Sequence, residues 1–75
     1  MALSPNPAAS VLTVTIPGNK LSDIMLVDTR GNTVMKTQSS DPKVELNVED
    51  LENGLYTIVV YQGSKKIAKR VVINK

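Results

Sequence analysis

Apolar residues recur at every second position in several short runs of the chain, which is the pattern of half-buried β-strands. The alternation is clearest at Val44, Leu46 and Val48, which are separated by two polar residues. Residues 11–16 show the same period of two. We expect Val44, Leu46 and Val48 to point to the core, and Leu12, Val14 and Ile16 to share one face of their strand.

Glycine and proline fall between the apolar runs and cut the chain into segments of about 6 to 10 residues, the spacing of a small sandwich or barrel. The predicted strands are 11–16, 22–28, 32–37, 44–48, 55–61 and 65–73, with a seventh if the opening segment pairs. The composition agrees, because 21 of 75 residues are Val, Ile or Thr and only four are Ala. We therefore expect an all-β fold, a small immunoglobulin-like antiparallel sandwich of six to seven strands in a single domain, 1–75.

Three strands carry more specific predictions. Strand 22–28 is nearly all apolar, which predicts that it is covered on both faces or lies at an interface. In strand 32–37, we expect Val34 to point inward. In the last strand, Ile67 and Val71 share one parity with Lys69, which predicts a bulge or a rim position near that lysine.

The connecting segments contain residues suited to turns. The opening Ser4-Pro5-Asn6-Pro7 is expected to be stiff because each proline restricts itself and the residue before it. Residues 17–19, Pro-Gly-Asn, fit a type II turn. In loop 28–32, Asp28 can accept backbone N–H bonds and Gly31 can take the left-handed position of a three-residue loop with a bulge.

A corner is predicted before strand 55–61. Residues 49–54 are too short for a stable helix and are expected to form a single helical turn or tight bend, with Leu51 closing one end of the core and Gly54 at positive φ. Tyr56 follows this bend, where immunoglobulin-like sandwiches place a tyrosine whose hydroxyl bonds back to the preceding segment.

The absence of His and Cys excludes whole classes of site. Zinc fingers, disulfides and Cys–His or Ser–His–Asp nucleophiles all need those side chains. Loop 28–31 lacks the alternating oxygen ligands of a calcium hand, and the glycines form no phosphate-binding pattern. We expect no enzyme activity, no metal and no cofactor.

The net charge of +2 is unevenly distributed: residues 41–54 carry −4 and residues 64–75 carry +5. The basic last strand has two interpretations, namely charges that protect an edge strand from aggregation and a recognition surface. Nucleic-acid binding is not expected, because no aromatic platform accompanies the five cations. Tyr61 alone gives only slight support for glycan binding.

No apolar run reaches the roughly 20 residues of a membrane span. Residues 1–10 lack a basic segment followed by a long apolar stretch, so we expect no secretory leader in this segment. The sequence therefore predicts a piece of a longer protein without a membrane span of its own.

The order of these features resembles the type A C-terminal sorting domain of the Bacteroidetes type IX (Por) secretion system. The matching segments are 4–8, 12–14, 24–28, 31–34, 51 with 54–56, 65–67 and 69–72, and they span nearly the whole chain. Asn32 and Asn53 depart from the family, which often has arginine and proline there. The structural motif comprises Pro5, Asn6, Pro7, Asp28, Gly31, Gly54 and Tyr56.

The resemblance implies that the domain is the tail of a larger secreted protein, exported via the periplasm to the outer membrane or cell surface. The implied partners are the type IX translocon, its outer-membrane shuttle component, and a cysteine-protease-like sortase that cuts upstream of the domain. A terminal strand could be recognised by strand addition. The candidate signal residues are Lys65, Lys66, Lys69, Arg70, Val71, Val72 and Lys75.

An alternative interpretation is a fibronectin- or immunoglobulin-like adhesion or spacer module, which could bind carbohydrate. An exposed edge strand could also pair two copies into a dimer.

Overall fold

The computed structural model describes residues 2–4, 10–18 and 20–75, and its strands form two antiparallel sheets. The strands are β1 (Ala2–Ser4), β2 (Val11–Thr15), β3 (Ser22–Val27), β4 (Thr33–Ser39), β5 (Lys43–Asn47), β6 (Gly54–Gln62) and β7 (Lys65–Ile73). The three-stranded sheet has the order β1-β2-β5, and the four-stranded sheet has the order β4-β3-β6-β7. The predicted all-β sandwich is confirmed. The described residues form seven strands, the higher of the two numbers predicted.

One core fills the space between the sheets. The alternating apolar residues of segments 11–16 and 44–48 line it, with Leu12, Val14 and Val48 fully buried, Leu46 at 5% exposure and Val44 partly buried against the cluster. The prediction that Val44, Leu46 and Val48 point to the core is confirmed. Backbone bonds from Ile16 N to the Pro42 carbonyl and from Val48 N to the Ser10 carbonyl extend the β2–β5 pairing at both ends. The four-stranded sheet contributes the rest of the buried cluster: Ile24, Leu26, Tyr56, Ile58, Val60, Val71 and Ile73.

The β3–β4 connection is a tight loop organised by Asp28. Its Oδ1 accepts hydrogen bonds from the backbone N–H groups of Arg30 at 2.9 Å and Asn32 at 3.0 Å. The Asp28 carbonyl also accepts from Gly31 N at 3.1 Å. Gly31 has a φ of 89°, a conformation that costs other residues about 1–2 kcal/mol. The predicted roles of Asp28 and Gly31 are confirmed.

The prediction that Val34 points inward is wrong. Leu26 pairs with Met35 and Val27 pairs with Thr33, so the register of β3 and β4 shifts at this point and Val34 has no partner in it. Met35 therefore lies opposite the buried Leu26 and packs against the core, whereas Val34 is 38% exposed. The extra residue reverses the parity that a regular strand would have.

Strand β3 is covered on one face only. Its inward positions are Ser22, Ile24 and Leu26, whereas Asp23, Met25 and Val27 are half-buried on the opposite face. The expectation of two covered faces is therefore wrong for the isolated chain. Strand β3 lies between β4 and β6. The side chains of these two neighbours partly shield the outward residues of β3 from solvent.

Several predicted features lie outside the described residues. Pro5, Asn6 and Pro7 of the opening segment do so, as does Asn19, the last residue of the predicted turn. Across residues 2–4, 10–18 and 20–75 there is no helix long and apolar enough to cross a membrane.

Candidate recognition surface

Strand β7 lies at one edge of the four-stranded sheet. Among the described strands it pairs with β6, in a continuous antiparallel register from Gly54 opposite Ile73 to Gln62 opposite Lys65. Of the bulge or rim position predicted near Lys69, the bulge is absent from β7 and the rim position is confirmed. Because successive side chains of a strand point to opposite faces, the regular register sorts the candidate signal residues into two rows.

The inner row of β7 mixes core residues and lysines. Val71 is fully buried and Ile73 is 1% exposed. Lys69 has the same parity and lies opposite Ile58, which is itself fully buried. Its side chain is nevertheless exposed, because β7 is at the rim of the sandwich. Lys69 is thus an inward-pointing charge on an edge strand, one of the features that discourage edge-to-edge pairing.

The outer row of β7 consists of Lys66, Ala68, Arg70 and Val72, all exposed. The Lys66 ammonium lies 5.9 Å from the centroid of the Tyr61 ring, at cation–π distance. Arg70 lies opposite Thr57. The structure therefore does not bring the basic residues of the last strand together on one surface, because Lys65 and Lys69 belong to the other row.

Lys75 lies beyond β7 and contacts the acidic bend before β6, residues 49–53. Its backbone N–H donates to Asn53 Oδ1 at 3.0 Å, and its Nζ donates to the Glu49 carbonyl. These contacts join the last residue to the segment before β6. The positive charge of Lys75 is thus placed against the part of the chain that carries the most negative charge.

The predicted tyrosine corner is present at the start of β6. The Tyr56 hydroxyl donates to the Glu52 carbonyl at 2.7 Å, and the residue is 8% exposed. The preceding segment is a tight turn in which Leu51 N donates to the Val48 carbonyl at 3.1 Å, and Leu51 packs against the core. Gly54 has positive φ, as predicted, at 157°.

The outer face of the four-stranded sheet carries residues that the sequence analysis did not select. In register across the strands, one row contains Lys36, Met25, Val59 and Ala68, and the next contains Val27, Thr57 and Arg70. Leu55 and Val72 form a further pair. We call the surface formed by the outward positions of β4, β3, β6 and β7 the outer face. The apolar character of β3 on both parities was the sequence signal that could have indicated it.

A concavity of about 500 Å³ lies at one end of the sandwich, between the β2–β3 connection and the β6–β7 hairpin. Its described lining includes Lys20 and Lys65 and no carboxylate. Gln62 Nε2 there donates to the hydroxyl of the buried Ser22 at 3.0 Å, and that hydroxyl donates to the Lys20 carbonyl at 3.1 Å. The polar groups are thus used to close the end of the core, and no acid–base pair accompanies them.

Metal-binding side chains do not converge anywhere in the described residues: no group of three or more Asp or Glu side chains there could hold an ion. The described surface presents cations, hydrogen-bonding groups and exposed apolar side chains.

Comparison with known proteins agrees with this geometry. The solved structure of PorZ, "an essential bacterial surface component of the type-IX secretion system" of Porphyromonas gingivalis, superposes with a TM-score of 0.84 at 20% sequence identity. The alignment covers 99% of this chain and 11% of the PorZ chain, so the shared feature is the fold of one small part of that protein. A search of curated proteins gives no significant match.

The family model described as "Secretion system C-terminal sorting domain" matches residues 2–74. This family is a class of secretion tags and not a catalytic family. Because the match covers nearly the whole chain, the chain belongs to the family of C-terminal sorting domains of type IX secretion.

Proposed function

We propose that the chain is the C-terminal signal of a larger secreted protein and directs that cargo from the periplasm across the outer membrane. The type IX translocon and its outer-membrane shuttle component recognise the folded domain. A cysteine-protease-like sortase then cuts upstream of the domain and releases the cargo at the cell surface. The observation that carries this proposal is the family match over residues 2–74.

The structure is compatible with a signal that is recognised as a folded object. The core joins residues from both sheets, including two from the last strand. A recognition element of this kind needs an accessible surface and no active site. Among the exposed side chains of β7, the proposed contacts of the signal are Lys65, Lys66, Lys69, Arg70 and Val72.

Two of the candidate signal residues act through the fold in this proposal. Val71 is fully buried, so it is not available to a partner in the folded domain. Lys75 holds the chain end against Asn53 and Glu49. Both residues keep β7 in place, and a partner would detect their loss through the strand that they position.

Recognition through side chains is favoured over strand addition. Strand addition requires a partner strand to pair in the plane of the sheet along the edge of β7, where its side chains would alternate between the outer face and the inner face. Lys69 projects toward that face from the edge strand, and a charge in this position disfavours such pairing. The same feature disfavours an edge-to-edge dimer through β7.

The proposal is tested by fusing residues 1–75 to the C-terminus of a reporter enzyme that carries its own periplasmic leader. In a host with the secretion system, the fusion is expected to reach the cell surface or medium, whereas the reporter without the tail stays in the periplasm. A matched control carries the tail with Leu26→Asp, which places a charge at a fully buried core position and is expected to block delivery.

If the reporter stays in the periplasm with the intact tail, the proposed function is wrong. The alternative, an adhesion or spacer module, predicts that outcome together with specific binding of the purified chain to a glycan or surface protein.

A further inference from the structure

We propose that the outer face of the four-stranded sheet is the surface through which the sorting signal binds a protein partner, and that this partner presents an apolar patch flanked by carboxylates. The inference rests on the proposed sorting function and narrows the contact from the edge strand to one face. It assigns roles to Lys36, Leu55 and the outward residues of β3, which lie far from the C-terminus in sequence.

The outer face carries apolar side chains in the row of Met25, Val59 and Ala68 and toward the end of the sheet at the β3–β4 loop. Leu55 is 40% exposed and Val72 is 43% exposed, and Val34 at the β4 side is 38% exposed. Met25 and Val27 on the central strand β3 are half-buried. Met25, Val27 and the Leu55–Val72 pair occupy successive outward rows, so apolar side chains recur along this face, with Thr57 and Arg70 in the row of Val27. Val34 lies at the register shift of β4, outside these rows. A contiguous exposed apolar patch with a polar margin is typical of an interaction site.

The packing within the patch is already tight. Val59 points away from the core yet is only 8% exposed, because Met25 and Ala68 lie beside it in the neighbouring strands. A surface in which the central side chain is enclosed by its neighbours is preformed. A partner could therefore bind it with little loss of side-chain entropy.

Cations border the patch on two opposite strands. Lys36 lies on β4, and Lys66 and Arg70 lie on β7. The acid at the outward positions, Asp23, accepts a hydrogen bond from Gln38 Nε2 at 2.9 Å and lies at the end of the face beside Tyr61. An apolar centre with positive margins is complementary to an apolar surface with carboxylates at the corresponding positions.

The charge pattern also argues against a second copy of this chain as the partner. A face-to-face dimer would bring Lys36, Lys66 and Arg70 of one copy near the same cations of the other. Like charges at an interface oppose association. A partner of opposite charge is required.

A lipid surface fits less well than a protein. Peripheral segments that bury in the boundary of a bilayer use long or aromatic side chains that reach about 5–10 Å into it. The patch is built mostly from Val, Met, Leu and Ala side chains on a sheet, and Tyr61 is held beside Lys66 at its end. Short side chains on a wide face favour shape complementarity with another folded surface.

The size of the face is sufficient for a specific complex. The molecule measures 31 × 22 × 16 Å, so its broad side offers an area on the order of 700 Å², close to the about 800 Å² per partner of a standard interface. The single apolar patch would form the centre of that contact, and the three cations would form its margin.

The test compares single variants of the tail in the reporter fusion. Leu55→Asp places a charge in the patch, and Lys36→Glu and Arg70→Glu reverse charges at its margin. The matched controls are Val11→Asp, since Val11 is 41% exposed on the three-stranded sheet, and Lys43→Glu on β5. All purified variants are first compared with the unaltered chain for their thermal unfolding, and Lys36→Glu keeps the test valid if Leu55→Asp fails to fold.

We expect each outer-face variant to lower the rate of surface delivery by about tenfold or more, the effect of losing an important interface residue, while both controls deliver normally. If the unaltered tail delivers the reporter and the folded outer-face variants do so equally well, the inference about this face is wrong and the sorting function stands. If the unaltered tail does not deliver, both proposals fail.

Two further outcomes would also contradict the proposal that the partner is a different protein. Sedimentation of the unaltered chain with vesicles of phosphatidylethanolamine and phosphatidylglycerol, abolished by Arg70→Glu, would identify a lipid surface. A dimer in analytical ultracentrifugation that Leu55→Asp dissociates would identify a second copy. We expect neither.

Discussion

The Tyr56 hydroxyl donates a hydrogen bond of 2.7 Å to the Glu52 carbonyl, and this bond ties the start of β6 to the bend before it. Because Tyr56 is 8% exposed, the ring contributes to the core while the hydroxyl fixes the bend. The same bend holds Lys75 through Asn53 and Glu49. The corner thus connects the core to the end of the chain.

Tyr56→Phe removes the corner hydrogen bond and keeps the ring. We expect the free energy of unfolding to fall by about 1–2 kcal/mol, because a part-buried carbonyl loses its partner. Urea denaturation measures this change. Tyr61→Phe is the matched control: Tyr61 is 36% exposed, and its change should stay within about 0.5 kcal/mol. Equal losses for the two variants would contradict the role of the corner.

Asp28→Ala should destabilise the β3–β4 hairpin. The substitution removes an acceptor of two backbone N–H groups, and we expect a loss of about 1–2 kcal/mol in urea unfolding, as for the loss of a capping side chain. Asp41→Ala, at an exposed loop position, is the control and should have little effect. An unchanged midpoint for Asp28→Ala would show that the loop does not depend on this carboxylate.

Lys69→Val should promote self-association of the purified chain. The substitution replaces an inward charge on edge strand β7 with a residue of high strand propensity, so the edge loses a protection against pairing. Size-exclusion chromatography with light scattering at increasing concentration measures the effect. Lys43→Val, at an outward position of edge strand β5, is the control. If both variants remain monomeric, Lys69 does not have the protective role assigned to it.

Ile73→Ala should destabilise the domain far more than Val72→Ala. Ile73 is 1% exposed in the core, whereas its neighbour Val72 is 43% exposed, so we expect a loss of about 2–5 kcal/mol for the former and under about 1 kcal/mol for the latter. Thermal unfolding measures both. Similar values would mean that the two rows of β7 are assigned to the wrong faces.

The burial of Val71 and Ile73 affects how a truncated tail is interpreted. Deleting residues 70–75 removes Val71 and Ile73 from the core, so failure of such a tail to direct secretion would report loss of the fold as well as loss of contacts. Single substitutions on exposed positions separate the two effects.

The sequence predicted the strands well where the alternation of residues was regular. Val44, Leu46 and Val48 enter the core as expected. The parity of β4 could not be predicted, because the register shift at Leu26 and Val27 depends on how the hairpin pairs. A single extra residue there exchanges Val34 and Met35 between the faces.

The candidate surface was predicted only in part. The basic residues of the last strand were evident from the sequence, but their division between two faces follows from the register with β6. The exposed rim position of Lys69 follows from the placement of β7 at the edge of its sheet. Lys36 and Leu55 join Arg70 on one face only after the strands are assembled, so no local pattern could have grouped them.

The measurement that tests the central claim most directly is the amount of reporter outside the cell when residues 1–75 are fused to it, in a host with an intact type IX translocon and in one that lacks it. The account predicts that the fused reporter is extracellular in the first host and remains in the periplasm of the second. Equal amounts outside the cells of both hosts, or none outside either, would contradict it.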